Sequence, residues 1–206
     1  MANNNGGLYA ALAGEYGDSK DVSATSLTAL SDGPFFTLLA FGATGLAQVP
    51  FTAIVAALIP IVIGFILGNL DEDIREFLAP GTSLLIPFFA FPLGAALNFG
   101  QLITAGISGI ILGVAVTLIT GLAGYLVYKM LKFENPAIGA AIGSTAGNAV
   151  GTPAAVAGVD SKFAVVAAEA TAQVAAAIII TALLCPLLVS LLDKYEKKKN
   201  LGKEAS

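Results

Sequence analysis

The feature that most constrains this 206-residue sequence is a set of four long stretches without any charged residue. They cover residues 33–70, 77–128, 135–159 and 170–192. A helix that crosses the hydrocarbon core of a bilayer needs about 20 mostly apolar residues, so each stretch has room for one or two crossings. Charged residues make up 12% of the chain, about half of the ~25% that is usual in a soluble domain. The sequence therefore predicts an all-α polytopic membrane protein.

Turn residues divide the uncharged stretches into about six predicted transmembrane helices. The predicted spans lie near 23–44, 50–70, 81–98, 102–129, 136–158 and 163–192. A shorter apolar segment at Gly6 to Gly14 covers only about half a bilayer at the rise of an α-helix. We therefore expect six helices preceded by an N-terminal half-helix.

Composition excludes several classes of function. The chain has no histidine and one cysteine, so neither a His-based catalytic triad nor a zinc site is expected. No nucleophile–base pair or metal motif is evident, and we predict neither an enzyme nor a bound cofactor. The net charge of −4 gives no indication of a nucleic-acid partner.

Basic residues predict the orientation in the membrane. If the connections alternate between the two sides, nine of the ten basic residues fall on one side and only Lys162 on the other. Cytoplasmic loops are enriched in lysine and arginine. The C-terminal tail of residues 193–206 is therefore expected to lie in the cytoplasm, and its lysines to lie close to membrane lipid.

One predicted span contains residues that interrupt helices. Residues 136–158 are rich in Gly, Ala, Ser and Thr, and Gly147, Gly151 and Pro153 lie near the middle. A proline removes a backbone donor and disfavours helix at the preceding residue. Asn148 and Thr152 add polar side chains at the same depth. The segment therefore indicates either a broken helix that lines a polar cavity or a kinked helix that packs through small residues.

The front of the chain shows a similar pattern. Asn5-Gly6-Gly7 precedes the half-helix, which Asp18-Ser19-Lys20 follows; Asp160-Ser161-Lys162 follows residues 136–158 in the same way. The predicted topology gives the two units opposite orientations. Inverted repeats with broken helices that meet at mid-membrane are typical of secondary transporters.

Two acidic residues lie within predicted spans, namely Asp32 and Glu169. A charge at mid-membrane costs about 2.5–3.5 kcal/mol on insertion scales, so such residues are candidates for function. Either carboxyl is a candidate proton carrier. The alternatives are that Asp32 faces an internal water in a kinked helix and that Glu169 reaches the water at an interface.

Several sequence runs resemble the 2-keto-3-deoxygluconate permease family. They are NGGLYA at 5–10, SDGPFF at 31–36, FILGNLDEDIREF at 65–77, LIPFFAFPLG at 85–94, GIILGVAV at 109–116 and GTPAAVA at 151–157. The resemblance extends over nearly the whole chain. It implies a proton-coupled importer of a sugar acid in the bacterial inner membrane, with no cofactor beyond the coupling proton.

The resemblance also implies an architecture. Related transporters have about ten helices in two inverted five-helix repeats, with a crossed pair of broken helices. This chain resembles only the later part of a family member. Residues 1–45 would be the remnant of the first repeat and residues 46–192 the second repeat. The first helices would then be truncated, or supplied by a partner polypeptide or a second copy.

The implied substrate, an anionic polyol, suggests candidate binding residues. Half-helix N-termini at Gly6, Gly7 and Thr152 suit a carboxylate, because their N–H groups are free. Amide and hydroxyl side chains suit the substrate hydroxyls, and the candidates are Asn5, Ser144, Thr145, Asn148 and Gln173. A different organic anion, sodium coupling or a non-transporting membrane fragment are the alternatives.

Overall fold

The computed structural model describes residues 4–28, 34–78 and 99–204, together with positions 31, 80, 84, 88 and 91. Regular structure in this part of the chain is entirely helical. The α-helices are α1 (Gly6–Tyr16), α2 (Ser19–Ser23), α3 (Thr25–Thr28), α4 (Phe35–Ala43), α5 (Phe51–Leu70), α6 (Glu72–Leu78), α7 (Phe99–Met130), α8 (Thr152–Val159) and α9 (Ala164–Glu204). Short 3-10 helices occupy Pro136–Ile142, Gly147–Gly151 and Ser161–Phe163.

Three helical segments are long and apolar enough to cross a membrane, namely Phe51–Leu70, Gly106–Met130 and Ser161–Leu201. They confirm the predicted spans near 50–70, 102–129 and 163–192. The last helix continues far beyond Leu192, because its lysine-rich C-terminal part keeps helical geometry. The fold is that of an all-α, multi-pass membrane protein.

Two other predicted spans fall wholly or partly outside the described residues. The span near 81–98 is described only at isolated positions. Within the span near 23–44, the described parts form the separate helices α3 and α4, and residues 29–30 and 32–33 lie outside the description. Neither span is therefore tested as a single crossing helix.

The predicted span near 136–158 is interrupted, as its sequence indicated, and its α-helical part begins at Thr152. Two 3-10 helices flank residues 143–146, where Ala146 has the extended dihedral angles φ −70° and ψ 151°. Pro153 lies in the first turn of α8, where its missing N–H costs nothing. The non-helical residues 144–146 precede Gly147, and the α-helix begins directly after Gly151. Pro153 thus helps to start a helix rather than to break one.

Helices α7 and α9 run parallel and pack through small residues. Gly109 faces Ala176 on α9, and Gly121, three turns later, faces Leu188. The 3-10 helix Pro136–Ile142 returns between these two helices and α1. Its residue Ile138 is fully buried in one hydrophobic core with Val189 of α9. Helices in lipid gain no hydrophobic free energy when they associate. Small residues let their backbones approach closely, so that van der Waals packing holds them together.

The described bundle has two polar ends. At the Asn135 end, the Asn135 amide donates to Tyr16 O at 2.9 Å and to Asp193 Oδ1 at 2.8 Å. At the Asp160 end, Gln48 N–H donates to Asp160 Oδ2 at 2.9 Å. Along α9 these ends are about 44 Å apart, at the rise of an α-helix. The turn after Tyr16, Asn135 and the start of the tail therefore lie at one end, and Gln48 and Asp160 lie at the other.

Half-helices α1 and α8 have opposite directions in this bundle. Helix α1 starts beside Ser144 in the interior and ends at Tyr16, near Asn135. Helix α8 starts at Thr152 and ends next to Asp160. Asp18 and Asp160 then cap the helical turns that follow, each accepting a hydrogen bond from a lysine N–H two residues later. The two Asp-Ser-Lys motifs therefore have the same local structure at opposite ends.

Candidate functional site

The N-terminus of α1 contacts the interrupted segment directly. Asn5 N–H donates to Ser144 Oγ at 3.1 Å, although 139 positions separate the two residues. The Asn5 side chain caps α1 by accepting from Leu8 N–H at 3.0 Å. Asparagine is among the best N-cap residues because its side-chain oxygen satisfies an N–H at the helix start. This contact brings the two interrupted segments together.

The adjacent Thr145 connects the interruption to α9. Its backbone N–H donates to Thr181 Oγ1 at 3.0 Å, and both residues are almost completely buried. The Thr181 hydroxyl donates in turn to Ile178 O at 3.1 Å. A side chain on α9 thus satisfies a backbone N–H of the non-helical segment, which has no partner within a helix.

A second polar contact lies beside the start of α1. The Ser31 hydroxyl donates to Asn4 Oδ1 and also lies 2.7 Å from Thr28 O. Asn4 is only 9% exposed. Ser31 immediately precedes Asp32, which lies outside the described residues together with any contact it makes. The structure therefore brings the neighbour of the predicted proton carrier to α1.

Several buried polar atoms in this region have no hydrogen-bond partner among the described residues. They are Asn4 Nδ2, Thr145 Oγ1 and Thr117 Oγ1. Thr117 belongs to the same region, because its carbonyl lies 2.9 Å from the position of a Cβ built on Gly143. A buried polar group without a partner costs about 1–3 kcal/mol. These groups have hydrogen-bonding capacity to offer a polar solute.

The other predicted binding residues are distributed around this region. Gly6 begins α1, and Gly7 follows it on an exposed surface. Thr152 begins α8 and is buried, whereas Asn148 is half-buried in the turn before it. Helix starts leave N–H groups without intrahelical partners and carry partial positive charge. Both half-helices therefore present anion-attracting ends.

Glu169 and Gln173 form a separate pair on α9. Gln173 Nε2 donates to Glu169 Oε1 at 3.1 Å, one helical turn away, and Glu169 is exposed. Thr171, between them, donates to Val150 O at 3.4 Å. No hydrogen bond within the described part of the chain joins Glu169 to Asn5 or Ser144. In the described part of the chain the two regions are linked through α9, by its packing on Gly147–Gly151 and by the hydrogen bond of Thr181 to Thr145.

Four residues of this region are not selected by the sequence pattern, namely Asn4, Ser31, Thr117 and Thr181. Serine and threonine within apolar helices carry no distinctive signal, because their hydroxyls usually bond to a carbonyl of their own helix. Asn4 was visible only as one member of an Asn run. Their grouping depends on which helices pack together.

These features define a class of protein. Two oppositely directed half-helices that begin beside a polar interior, within a bundle of apolar helices, are the arrangement known from secondary transporters. A family model for 2-keto-3-deoxygluconate permease matches residues 1–198. The chain belongs to the 2-keto-3-deoxygluconate permease family. The match confirms the resemblance inferred from the sequence, and the family is one of transporters rather than enzymes.

Curated bacterial relatives support this assignment. The chain is 50% identical over 199 residues to 2-keto-3-deoxygluconate permease 1 of Salmonella typhimurium, covering 97% of this chain and 62% of the relative. It is 48% identical over 187 residues to a permease of Xanthomonas axonopodis pv. citri (91% and 59% coverage). It is 43% identical over 199 residues to the Bacillus subtilis permease (97% and 60%).

The chain thus spans about three fifths of the length of these relatives. No solved structure matches the chain.

Proposed function

We propose that this chain carries the substrate-binding crossing of an importer of 2-keto-3-deoxygluconate. Family membership supports the substrate class. The single observation that carries the proposal is the hydrogen bond between Asn5 N–H and Ser144 Oγ at 3.1 Å. It joins the start of one half-helix to the interruption in the other segment, as expected where broken helices cross.

The substrate is a carboxylate with several hydroxyl groups, and the region offers both kinds of recognition. The start of α1 at Gly6 and Gly7 supplies N–H groups and partial positive charge for the carboxylate. Hydroxyl and amide groups of Ser144, Thr145 and Asn4 supply donors and acceptors for the substrate hydroxyls. Asn148, Thr152 and Gln173 remain candidates on the α8 side of the crossing.

We further propose that transport is coupled to protons through Asp32 and Glu169. Asp32 follows Ser31, which contacts Asn4 at the start of α1, so a proton at Asp32 would be close to the substrate groups. Glu169 is the exposed acid of a membrane-spanning helix, with Gln173 as its partner. An acid in such a position is a functional candidate by default.

The orientation is part of the same proposal. The structure separates the two ends of the bundle, and the Asn135 end carries Lys129, Lys132 and the lysine-rich tail. The positive-inside rule then places this end in the cytoplasm of a bacterial inner membrane.

Uptake of labelled 2-keto-3-deoxygluconate into proteoliposomes tests the proposal, with and without an inward proton gradient. The chain is reconstituted alone and together with a polypeptide that carries the preceding helices of a family relative. We expect gradient-dependent uptake in at least the combined sample. No uptake in either sample would contradict a transport role. Uptake driven by sodium and indifferent to pH would replace proton coupling by sodium coupling.

Variants test the individual roles. Ser144→Ala should raise the KM for the substrate, whereas Ser161→Ala, in the exposed turn at the Asp160 end, is the matched control. Asp32→Asn should abolish the stimulation of uptake by the proton gradient. Unchanged stimulation in this variant would remove Asp32 from the proton path, and the same comparison with Glu169→Gln tests the second acid. Equal KM values for the two serine variants would remove Ser144 from the site.

A further inference from the structure

A buried carboxyl lies at the Asn135 end, outside the crossing. Asp21 is the third residue of α2 and is only 4% exposed. Its Oδ2 accepts a hydrogen bond from Asp18 N–H at 3.1 Å. Its Oδ1 is buried and has no hydrogen-bond partner among the described residues. An ionised carboxylate normally accepts several hydrogen bonds when it is buried.

The carboxyl packs directly against the end of α1. A Cβ built on Gly17 would lie 2.6 Å from Asp21 Oδ2 and 2.8 Å from Asp21 Cβ. The position of Gly17 is fixed by its N–H, which donates to Ala13 O at 2.9 Å. The side chain of Asp21 therefore fills the corner between α1 and α2.

The charged residues around Asp21 do not neutralise a negative charge on its carboxylate. In the described part of the chain Asp21 forms no ion pair, and the charges that act on it belong to Asp18, Glu134 and Lys20, two acids and one base. Two lysines of this end have other partners: Lys129 pairs with Glu196, and Lys197 Nζ lies 2.8 Å from Asp193 Oδ2. The carboxylate of Asp21 is therefore both desolvated and repelled.

Asp21 in α2 and Asp18, which caps that helix, thus have opposite environments. Burial, reinforced by the charges of Asp18 and Glu134, raises the pKa of Asp21 above its usual range. Asp18 accepts hydrogen bonds from Lys20 N–H at 2.7 Å and Asp21 N–H at 2.9 Å. These bonds, with that from Asp21 N–H the most important, lower the pKa of Asp18.

We propose that Asp21 is a proton-binding site of this protein, additional to Asp32 and Glu169. The neutral form of Asp21 fits the corner between α1 and α2 better than the ionised form. A protonated carboxyl is not repelled by Glu134, and its O–H can donate a hydrogen bond. Proton release puts a second negative charge beside the loop that follows α7. Protonation of Asp21 therefore favours the contact of the half-helix α1 with that loop.

Glu134 provides a structural test because it reaches Asp21 from a different part of the chain. The charge of Asp21 also acts on the hydroxyls of Tyr9 and Tyr128, which lie 2.8 Å apart between α1 and α7. The titration of Asp21 should therefore depend on the docking of α1 against α7. A local effect within α2 would not depend on Glu134.

Carboxyl 13C NMR on the detergent-solubilised chain, labelled at aspartate, measures the titration without any transport assay. Asp21→Asn identifies the signal by its loss. If that variant does not fold, Asp21→Glu removes the labelled group and keeps the carboxyl. We expect Asp21 to titrate at a higher pH than Asp18 and above the ordinary aspartate value of about 3.9. Glu134→Gln should lower the Asp21 midpoint, and Glu76→Gln, in the exposed helix α6, is the control.

An Asp21 midpoint at or below the ordinary aspartate value would overturn the proposal. So would a midpoint that Glu134→Gln leaves unchanged, because the repelling charge would then be elsewhere. The readout is independent of uptake. A chain that titrates as expected and fails to transport retains the proton site and loses only the proposed function.

Discussion

The contact between Gly124 on α7 and Gly139 in the returning 3-10 helix should be intolerant of any side chain. A Cβ built on Gly124 would lie 2.1 Å from Gly139 O and 2.8 Å from Ile142 Cδ1. In the reverse direction, a Cβ on Gly139 would lie 2.3 Å from Gly124 O. The obstructing atom is a backbone carbonyl, so no side-chain rotation relieves the contact. Gly124→Ala must therefore separate the two segments.

The required displacement follows from the geometry. Real Cβ atoms essentially never approach another heavy atom closer than 3.0 Å, so the backbones must move apart by about 0.9 Å from the present 2.1 Å. Overpacking of this kind costs about 1–3 kcal/mol. Alanine also gains about 1 kcal/mol over glycine in helix propensity, which offsets part of the loss. A control variant must therefore also replace a helical glycine by alanine, so that it gains the same helix propensity.

Gly106→Ala is that control, because Gly106 lies on the same helix and a Cβ there meets nothing within 4 Å. Reversible unfolding in mixed micelles with increasing SDS, followed by far-UV circular dichroism, gives the free energy of unfolding for both variants. We expect Gly124→Ala to be less stable than Gly106→Ala by about 1–3 kcal/mol, or about 5- to 150-fold in the unfolding equilibrium. Equal stability of the two variants would refute the close contact of α7 with Pro136–Ile142.

Three further substitutions are expected to change stability in the same assay. Asn135→Ala should cost about 1–3 kcal/mol, because it leaves the buried Asp193 without the amide donor that lies 2.8 Å from its carboxylate. Thr181→Val should cost a similar amount, about 1–3 kcal/mol, since it removes the acceptor of the buried Thr145 N–H. Asp21→Asn should flatten the pH dependence of stability: burial raises the pKa of Asp21, so its favourable contribution is present at low pH and lost as pH rises through the folded-state pKa.

Each of these substitutions has a matched control in an exposed position. Among the described residues, the Asn69 amide donates to Phe65 O of its own helix, and the Thr44 hydroxyl donates to carbonyls of α4, the helix that it follows. Asn69→Ala and Thr44→Val should therefore leave the free energy of unfolding nearly unchanged. A loss in either control equal to that of its buried counterpart would contradict the assigned hydrogen bonds. For Asp21→Asn, an unaltered pH dependence relative to Asp73→Asn would show that Asp21 does not bind the proton.

The membrane-spanning helices could be predicted well because hydropathy is nearly additive along the chain. Phe51–Leu70 carries no charge, and its side chains are hardly buried by the rest of the described structure. Such a segment has few stable environments other than a bilayer. The Asp-Ser-Lys motifs were also informative, because the capping preference of aspartate depends only on the residues that follow it.

The interruption of residues 136–158 was predicted, but it begins earlier in the chain than expected. Proline and glycine preferences pointed to Gly147–Pro153, whereas the chain has already left helical geometry at residues 143–146, and the α-helix begins at Thr152. The decisive contact is made by Gly143, where a Cβ would lie 2.9 Å from Gly121 Cα and from Thr117 O. Close packing against α7, rather than a local preference, determines where this segment leaves helical geometry.

The sequence by itself determined the class of protein, the three long apolar helices and the family, since each depends on the identity and order of neighbouring residues. Tertiary structure alone decided that Asn5 meets Ser144, that Thr145 meets Thr181 and that Asp21 is buried. The physical reason is that the neighbouring residues in the sequence do not determine the environment of a polar side chain. Burial and partnership arise only when surfaces distant along the chain exclude water or lipid between them.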